Sequence, residues 1–159
     1  MDFETIEKKV CIALETLRRN DSFLLEANTN ERTISHKLAE YLQKEFLELS
    51  VDCEYNRHES HEKKANLPKD GISWDDIEAK TVFPDILVHK RDTDDSNLLI
   101  IEIKKSSNKT NRQFDKNKLI AFTMEPFNYN FGLFLEINIA GSTDSFEWYK
   151  NGRKYENQN

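Results

Sequence analysis

The sequence predicts an α/β fold of the α+β type, with helices packed on a mixed central sheet. Two kinds of pattern lead to this prediction. Some segments repeat apolar residues at helical spacing, whereas shorter segments alternate or run continuously apolar, as strands do. These segments follow one another in the order α-α-β-loop-β-β-α-β-β-β, which is typical of a sheet covered by helices. With 159 residues, the chain 1–159 suits a single domain with one good core.

The N-terminal part of the chain contains two amphipathic helices. The first covers residues 3–19, with Asp2 as a plausible N-cap and an apolar face made by Ile6, Val10, Leu14 and Leu17. A polar break ends this helix. The second begins near Asn30 and ends at about Leu47, with an apolar stripe of Ile34, Leu38, Leu42 and Phe46.

The middle of the chain alternates between strands and polar connections. Val51, Cys53 and Tyr55 alternate with polar residues, which predicts a half-buried strand. Residues 57–80 are charged and irregular, and we interpret them as an inserted loop with a short helix around 74–79. Two apolar runs then predict neighbouring strands at about 85–89 and 97–104.

The C-terminal part supplies one helix and three strands. A helix is expected at about 111–124, carrying Phe114, Leu119 and Phe122. Residues 130–138 are apolar on nearly both faces, which indicates a central strand. The tail predicts a β-hairpin that turns at Asn151 and Gly152.

Composition excludes several classes of protein. The net charge of −6 argues against a general nucleic-acid coat, and 37% hydrophobic residues suit a compact domain. Cys11 and Cys53 are expected to be buried thiols, because two distant cysteines make no zinc spacing. No apolar run could span a membrane and the N-terminus resembles no leader, so we expect a cytoplasmic protein without membrane contact. Phosphate-loop, dinucleotide and nucleophile-elbow motifs are absent from the sequence.

The predicted strands at 85–89 and 97–104 carry the most informative residues. Since side chains two apart share a face of a strand, Glu102 and Lys104 emerge together from an otherwise apolar strand. Asp85 opens the strand that should pair with it, directly after Pro84. Two carboxylates at the mouth of an apolar sheet repel each other and are costly to desolvate, and a divalent cation relieves both problems. Mg²⁺ is the natural candidate, with Mn²⁺ as a substitute, and the Lys104 ammonium suits a phosphate oxygen or a water.

Pro84-Asp85, sixteen residues, then Glu102-Ile103-Lys104 resembles the signature of the PD-(D/E)XK nuclease superfamily. This superfamily, which includes restriction endonucleases and Holliday-junction resolvases, has an αβββαβ core. The resemblance covers about residues 30–138 and leaves the first helix and the C-terminal hairpin outside. It implies that Asp85 and Glu102 bind Mg²⁺ together with the carbonyl oxygen of Ile103, and that Lys104 assists the attacking water. Because many members of the superfamily dimerise, the resemblance leaves open whether this protein is a homodimer.

Four further residues are candidates for supporting roles. Glu31 lies in line with the apolar stripe of the second helix, so it either reaches the site or sits in the first turn because of the helix dipole. Glu54 is a rival for that role, although simple exposure is slightly favoured. The helix after the motif resembles a D-x-x-K-L pattern of such nucleases, which implicates Lys118 and, less strongly, Asp115. A charged helix face is the more usual explanation of such a pair.

The segment from Lys104 to Lys118 holds six basic residues against one acid. Such a patch is compatible with a phosphate ligand and also with an ordinary solvated loop, which is the commoner case. The predicted phosphate-binding residues are Lys105, Lys109, Arg112 and Lys118. The sequence thus predicts a metal-dependent nuclease that acts on DNA in preference to RNA, in defence or repair. The alternative is a catalytically inactive module that keeps the nuclease fold for binding nucleic acid or protein. A purely structural domain would leave Asp85 unexplained.

Overall fold

The structure is a computed structural model of the chain. It describes residues 1–55, 57–58, 61–62, 64–66, 79–81, 83–91, 93, 96–139, 141 and 143–157, with side chains for those outside 57–81. Helices of this part of the chain are α1 (Phe3–Asn20), α2 (Ser22–Glu26), α3 (Glu31–Glu45) and α4 (Gln113–Phe122). None of the helices among the described residues is long and apolar enough to cross a membrane.

The three predicted helices are confirmed, with ends that differ by a few residues. The Asp2 carboxylate accepts a hydrogen bond from the Thr5 N–H at 2.8 Å and begins α1, as expected of an N-cap. Asn30 begins α3 in the same way through the Thr33 N–H. Helix α2 was not predicted, because five residues are too few to display helical periodicity.

The described strands form one six-stranded sheet and two small two-stranded sheets. The large sheet consists of β1 (Ser50–Cys53), β6 (Ile86–His89), β7 (Leu99–Lys105), β8 (Phe131–Ile137), β9 (Ser145–Lys150) and β10 (Arg153–Tyr155), in that spatial order. Strands β7 and β8 are parallel and every other neighbouring pair is antiparallel. Helix α4 makes the crossover between the parallel pair, as parallel strands require. The predicted mixed sheet flanked by helices is therefore confirmed.

The predicted inserted loop is wrong in part. It contains the short strands β2 (Arg57–His58), β3 (His61–Glu62), β4 (Lys64–Asn66) and β5 (Ala79–Thr81), where β2 pairs with β3 and β4 with β5. Segments of two or three residues are too short for an alternating pattern to stand out from a charged loop. The predicted helix around 74–79 lies outside the described residues except for Ala79, which begins β5.

The C-terminal hairpin is confirmed at the predicted turn. Asn151 has φ of 50° and Gly152 has φ of 73°, the left-handed conformations that a tight two-residue turn between β9 and β10 needs.

The sheet separates two apolar cores, and β7 contributes to both. Leu99, Ile101 and Ile103 pack on the side covered by α1 and α3. Ile100 packs on the opposite side, against Leu119 and other residues of α4 and β8. This alternation is the one predicted for the strand, and it directs the next residues of the second face, Glu102 and Lys104, toward α4.

Candidate functional site

Asp85 and Glu102 lie side by side where β6 and β7 meet. Ile86 pairs with Ile101 across these antiparallel strands, so the same register places Asp85 beside Glu102. The Asp85 Oδ2 atom accepts a hydrogen bond from the Ile103 N–H at 2.7 Å. The main chain of β7 thus positions the Asp85 carboxylate, and the Glu102 side chain of the same strand provides the second carboxylate.

Glu102 is buried, with 1% of its surface exposed. Its Oε2 atom accepts a hydrogen bond from Lys118 Nζ at 2.5 Å, whereas its Oε1 atom is buried without any partner among the described residues. Burial, reinforced by the nearby charge of Asp85, raises the pKa of Glu102 well above its usual value. A buried carboxylate oxygen without a donor is costly, so its presence needs an explanation.

Helix α4 faces these carboxylates with Asp115 and Lys118, both buried and three residues apart on one helix face. Asp115 holds two ammonium groups. Its Oδ2 lies 3.0 Å from Lys104 Nζ and its Oδ1 lies 3.3 Å from Lys118 Nζ. The D-x-x-K spacing therefore places Asp115 and Lys118 of α4 in contact with Glu102 and Lys104 of β7.

Helix α3 reaches the same region through its first residue, Glu31. The Glu31 Oε1 atom accepts hydrogen bonds from the Lys105 N–H at 3.0 Å and from Asn108 Nδ2 at 2.8 Å. Its Oε2 atom lies 3.7 Å from Lys104 Nζ. Glu31 thus borders the site and ties α3 to the end of β7, in addition to occupying a first helical turn. Asn108 was not singled out from the sequence, where nothing distinguishes it from other polar residues after a strand.

The cluster contains more carboxylates than ammonium groups. Its carboxylates are Glu31, Asp85, Glu102 and Asp115, and its ammonium groups are those of Lys104 and Lys118. When all six are ionised, two negative charges are unbalanced. Burial raises the pKa of Asp85 despite the hydrogen bond from Ile103. Burial lowers the pKa of both lysines, but the carboxylates outweigh it, so both lysine pKa values lie above their usual range.

The backbone of Glu54 lies beside Asp85, but its carboxylate is not part of the cluster. Its N–H donates to the Asp85 carbonyl oxygen at 3.3 Å. Its carboxylate pairs with Arg32 at 2.8 Å and is 45% exposed, and its φ of 49° is left-handed. This placement gives Glu54 a surface ion pair rather than a position among the clustered carboxylates.

The predicted phosphate-binding residues occupy four different environments. Lys105 Nζ donates to the carbonyl oxygens of Asn28 and Thr29 in the connection between α2 and α3. Arg112 pairs with Glu136, with 2.6 Å between Nε and Oε2. Lys118 is buried in the cluster, and Lys109 is exposed. Of these four, only Lys109 is exposed, and it forms no ion pair with another described residue.

The donor set suits a magnesium ion held partly by water. Among the described residues, no group of three or more His, Cys, Asp or Glu side chains is arranged to hold a metal ion alone. Magnesium proteins commonly supply one or two carboxylates and leave the remaining positions to water and substrate phosphate. Asp85 and the unpartnered Oε1 of Glu102 match this chemistry, and Ile103, whose carbonyl the resemblance implicates, lies between Glu102 and Lys104 in β7.

Comparison of the chain with protein-family models, with curated proteins and with solved structures finds no match.

Proposed function

We propose that the protein is a metal-dependent nuclease that hydrolyses phosphodiester bonds, in DNA rather than RNA. The buried Oε1 atom of Glu102 carries the proposal. Glu102 lies next to Asp85, and its Oε1 atom has no hydrogen-bond partner among the described residues. A divalent cation would supply this oxygen with a ligand and balance the two excess negative charges of the cluster.

The order of the central elements supports the same proposal. Helix α3, strands β1, β6 and β7, helix α4 and strand β8 follow one another as α-β-β-β-α-β, apart from the short strands between β1 and β6. This is the core order of the PD-(D/E)XK superfamily, whose motif the Asp85 and Glu102-Ile103-Lys104 segments resemble. We therefore propose that the core is restriction-endonuclease-like, with α1 and the β9–β10 hairpin as additions.

Each residue of the cluster has a distinct role in this proposal. Asp85 and Glu102 would hold Mg²⁺, which when bound polarises a phosphate and makes a bound water more acidic. Asp115 fixes the Lys104 ammonium through its 3.0 Å contact, and Glu31 approaches it from α3. Held in this way, the Lys104 ammonium orients the attacking water or stabilises negative charge that develops on the phosphate oxygens. The raised pKa of Lys104 keeps this group charged at neutral pH.

A cleavage assay with and without Mg²⁺ tests this function on single-stranded, duplex and branched DNA and on RNA. We expect Mg²⁺-dependent cleavage by the wild type, and Asp85→Asn and Glu102→Gln to reduce the rate by about a hundredfold or more, because each removes a charged ligand. Asp52→Asn is the matched control, since Asp52 is also a partly buried carboxylate of the sheet but pairs with His89 and Arg91. Equal cleavage by wild type and both site variants would refute the assignment.

A catalytically inactive module with the same fold is the second candidate. The observation that favours it is the ion pair of Lys118 with Glu102, which already gives the buried carboxylate one positive partner. Calorimetric titration with Mg²⁺ and Mn²⁺ separates the two functions. Metal binding that Asp85→Asn abolishes supports the nuclease, whereas nucleic-acid binding without metal binding or cleavage supports the module.

A further inference from the structure

Lys118 occupies an unusual position for a lysine. It is 7% exposed, and its Nζ atom lies 2.5 Å from Glu102 Oε2 and 3.3 Å from Asp115 Oδ1. Burying an ammonium costs free energy unless carboxylates compensate for it, and here two do. The ammonium lies against the carboxylate that, under the proposed function, would bind a metal ion.

One carboxylate cannot be shared freely by a metal ion and a lysine ammonium. A divalent cation on Glu102 would stand within a few ångströms of the Lys118 charge, and like charges at such a distance repel strongly in a poorly hydrated site. In the absence of metal, the same ammonium lowers the cost of keeping Glu102 ionised in the core. Lys118 therefore stabilises the metal-free site and opposes loading of the metal.

Helix α4 offers Lys118 a second set of partners. Asp115 Oδ1 is already 3.3 Å away, and the ring of Phe114 has its centroid 5.7 Å from the ammonium. A carboxylate and an aromatic face both stabilise a cation. Turning away from Glu102 would thus leave Lys118 paired with Asp115, while Lys104 keeps the other Asp115 oxygen at 3.0 Å.

We propose that Lys118 is a resident counter-cation that a divalent metal ion displaces from Glu102 toward Asp115, so that this lysine sets the metal affinity of the site. The inference rests on the metal site of the proposed function, but it concerns binding and not cleavage.

Calorimetric titration with Mg²⁺ and Mn²⁺ tests the role of Lys118 without a substrate. Lys118→Met, which keeps the length of the side chain and removes its charge, should bind metal at least about tenfold more tightly than the wild type. Lys118→Arg keeps the charge and should bind no more tightly than the wild type. Lys116→Met is the control, because Lys116 lies on the same helix but pairs with Glu147 at 2.9 Å. The metal affinity of this variant should equal that of the wild type.

Unchanged or weaker metal binding by Lys118→Met would overturn the inference, and so would the absence of metal binding in both proteins. Cleavage data separate the two proposals. A protein that loads metal as expected but cleaves nothing refutes the nuclease alone, whereas a nuclease with unaltered affinity in Lys118→Met refutes the displacement alone.

The wild type provides a second test if Lys118→Met fails to fold. In protein labelled with ¹⁵N at lysine, the Lys118 ammonium signal, assigned with Lys118→Arg, should shift on addition of Mg²⁺, whereas that of Lys116 should not. An unmoved Lys118 signal at saturating Mg²⁺ would contradict displacement.

Discussion

Asp52 and Glu102 are both poorly exposed carboxylates of the same sheet, yet their surroundings differ. Asp52 Oδ2 lies 3.0 Å from His89 Nε2 and accepts a hydrogen bond from Arg91 Nε at 2.9 Å, and Oδ1 pairs with the same guanidinium. Glu102 has only Lys118 on one oxygen and no partner among the described residues on the other. The first carboxylate is saturated by the chain itself, whereas the second leaves one position open.

The pKa values of these two carboxylates shift in opposite directions, because burial is outweighed by cationic partners at Asp52 but not at Glu102. Burial would raise the pKa of Asp52, but hydrogen bonds from Arg91 and His89 outweigh it, so this pKa lies below its usual value. Burial and the charge of Asp85 raise the pKa of Glu102. The number of cationic partners therefore distinguishes a carboxylate whose oxygens are both paired from one that keeps an oxygen without a partner among the described residues.

The largest difference between the two regions should be seen in catalysis. Lys104→Met should lower the rate of Mg²⁺-dependent cleavage by about a hundredfold, because it removes the charge proposed to act at the reacting phosphate. Arg91→Met, which removes a cation from the Asp52 pair, should leave the rate within about twofold of the wild type. Steady-state cleavage at a temperature where both variants are folded measures this, and equal losses in the two variants would abolish the distinction.

A smaller difference should appear in the pH dependence of stability. Folding raises the pKa of Glu102, so the folded state binds its proton more tightly and the wild type loses stability as pH rises from the usual range of a glutamate through the folded pKa. The Tm of Glu102→Gln relative to the wild type should therefore increase from about pH 5 to about pH 8.

Asp52→Asn should show the opposite dependence. Folding lowers the pKa of Asp52, so its stabilising contribution is present above the usual range of an aspartate and is lost as pH falls through the folded pKa. The Tm deficit of this variant should shrink from about pH 5 to about pH 3. Thermal melts across this range check both variants, and parallel curves for the two would contradict the assigned environments.

The smallest expected effect separates the two lysines that follow the site. Lys109 is exposed, so Lys109→Ala should weaken binding of an oligonucleotide modestly and reduce the slope of log affinity against log salt by about one. Lys105 holds the connection between α2 and α3, so Lys105→Ala should lower Tm and change the salt slope less. Binding measured by fluorescence anisotropy over a series of salt concentrations, with Ca²⁺ in place of Mg²⁺, decides between these roles.

Much of the site could be predicted because it depends on local periodicity. Alternation along β7 places Glu102 on the other face of the sheet from Ile101 and Ile103. The antiparallel pairing with β6 brings Asp85 next to Glu102. The three-residue spacing of Asp115 and Lys118 places both on one face of α4. Each of these relations follows from the geometry of a single element or of two adjacent strands.

The burial and the partners of the basic residues could not be predicted in this way. Lys105, Arg112 and Lys118 look alike in the sequence as a basic run, yet one binds carbonyl oxygens, one pairs with Glu136 and one lies buried against Glu102. Their partners lie up to seventy-seven residues away in the chain, so composition could not reveal whether these charges are free for phosphate.

By itself the sequence determined which residues share a face, because 2.0- and 3.6-residue periods are written in local spacing. It thereby specified the three longer helices, the main strands and the pair of Asp85 and Glu102. Only the tertiary structure decided how many partners each charge has, since α3 and α4 must close over the sheet before Glu31 or Lys118 can reach it. The open oxygen of Glu102 is a product of that closure, because burial and partners are properties of packing and not of spacing.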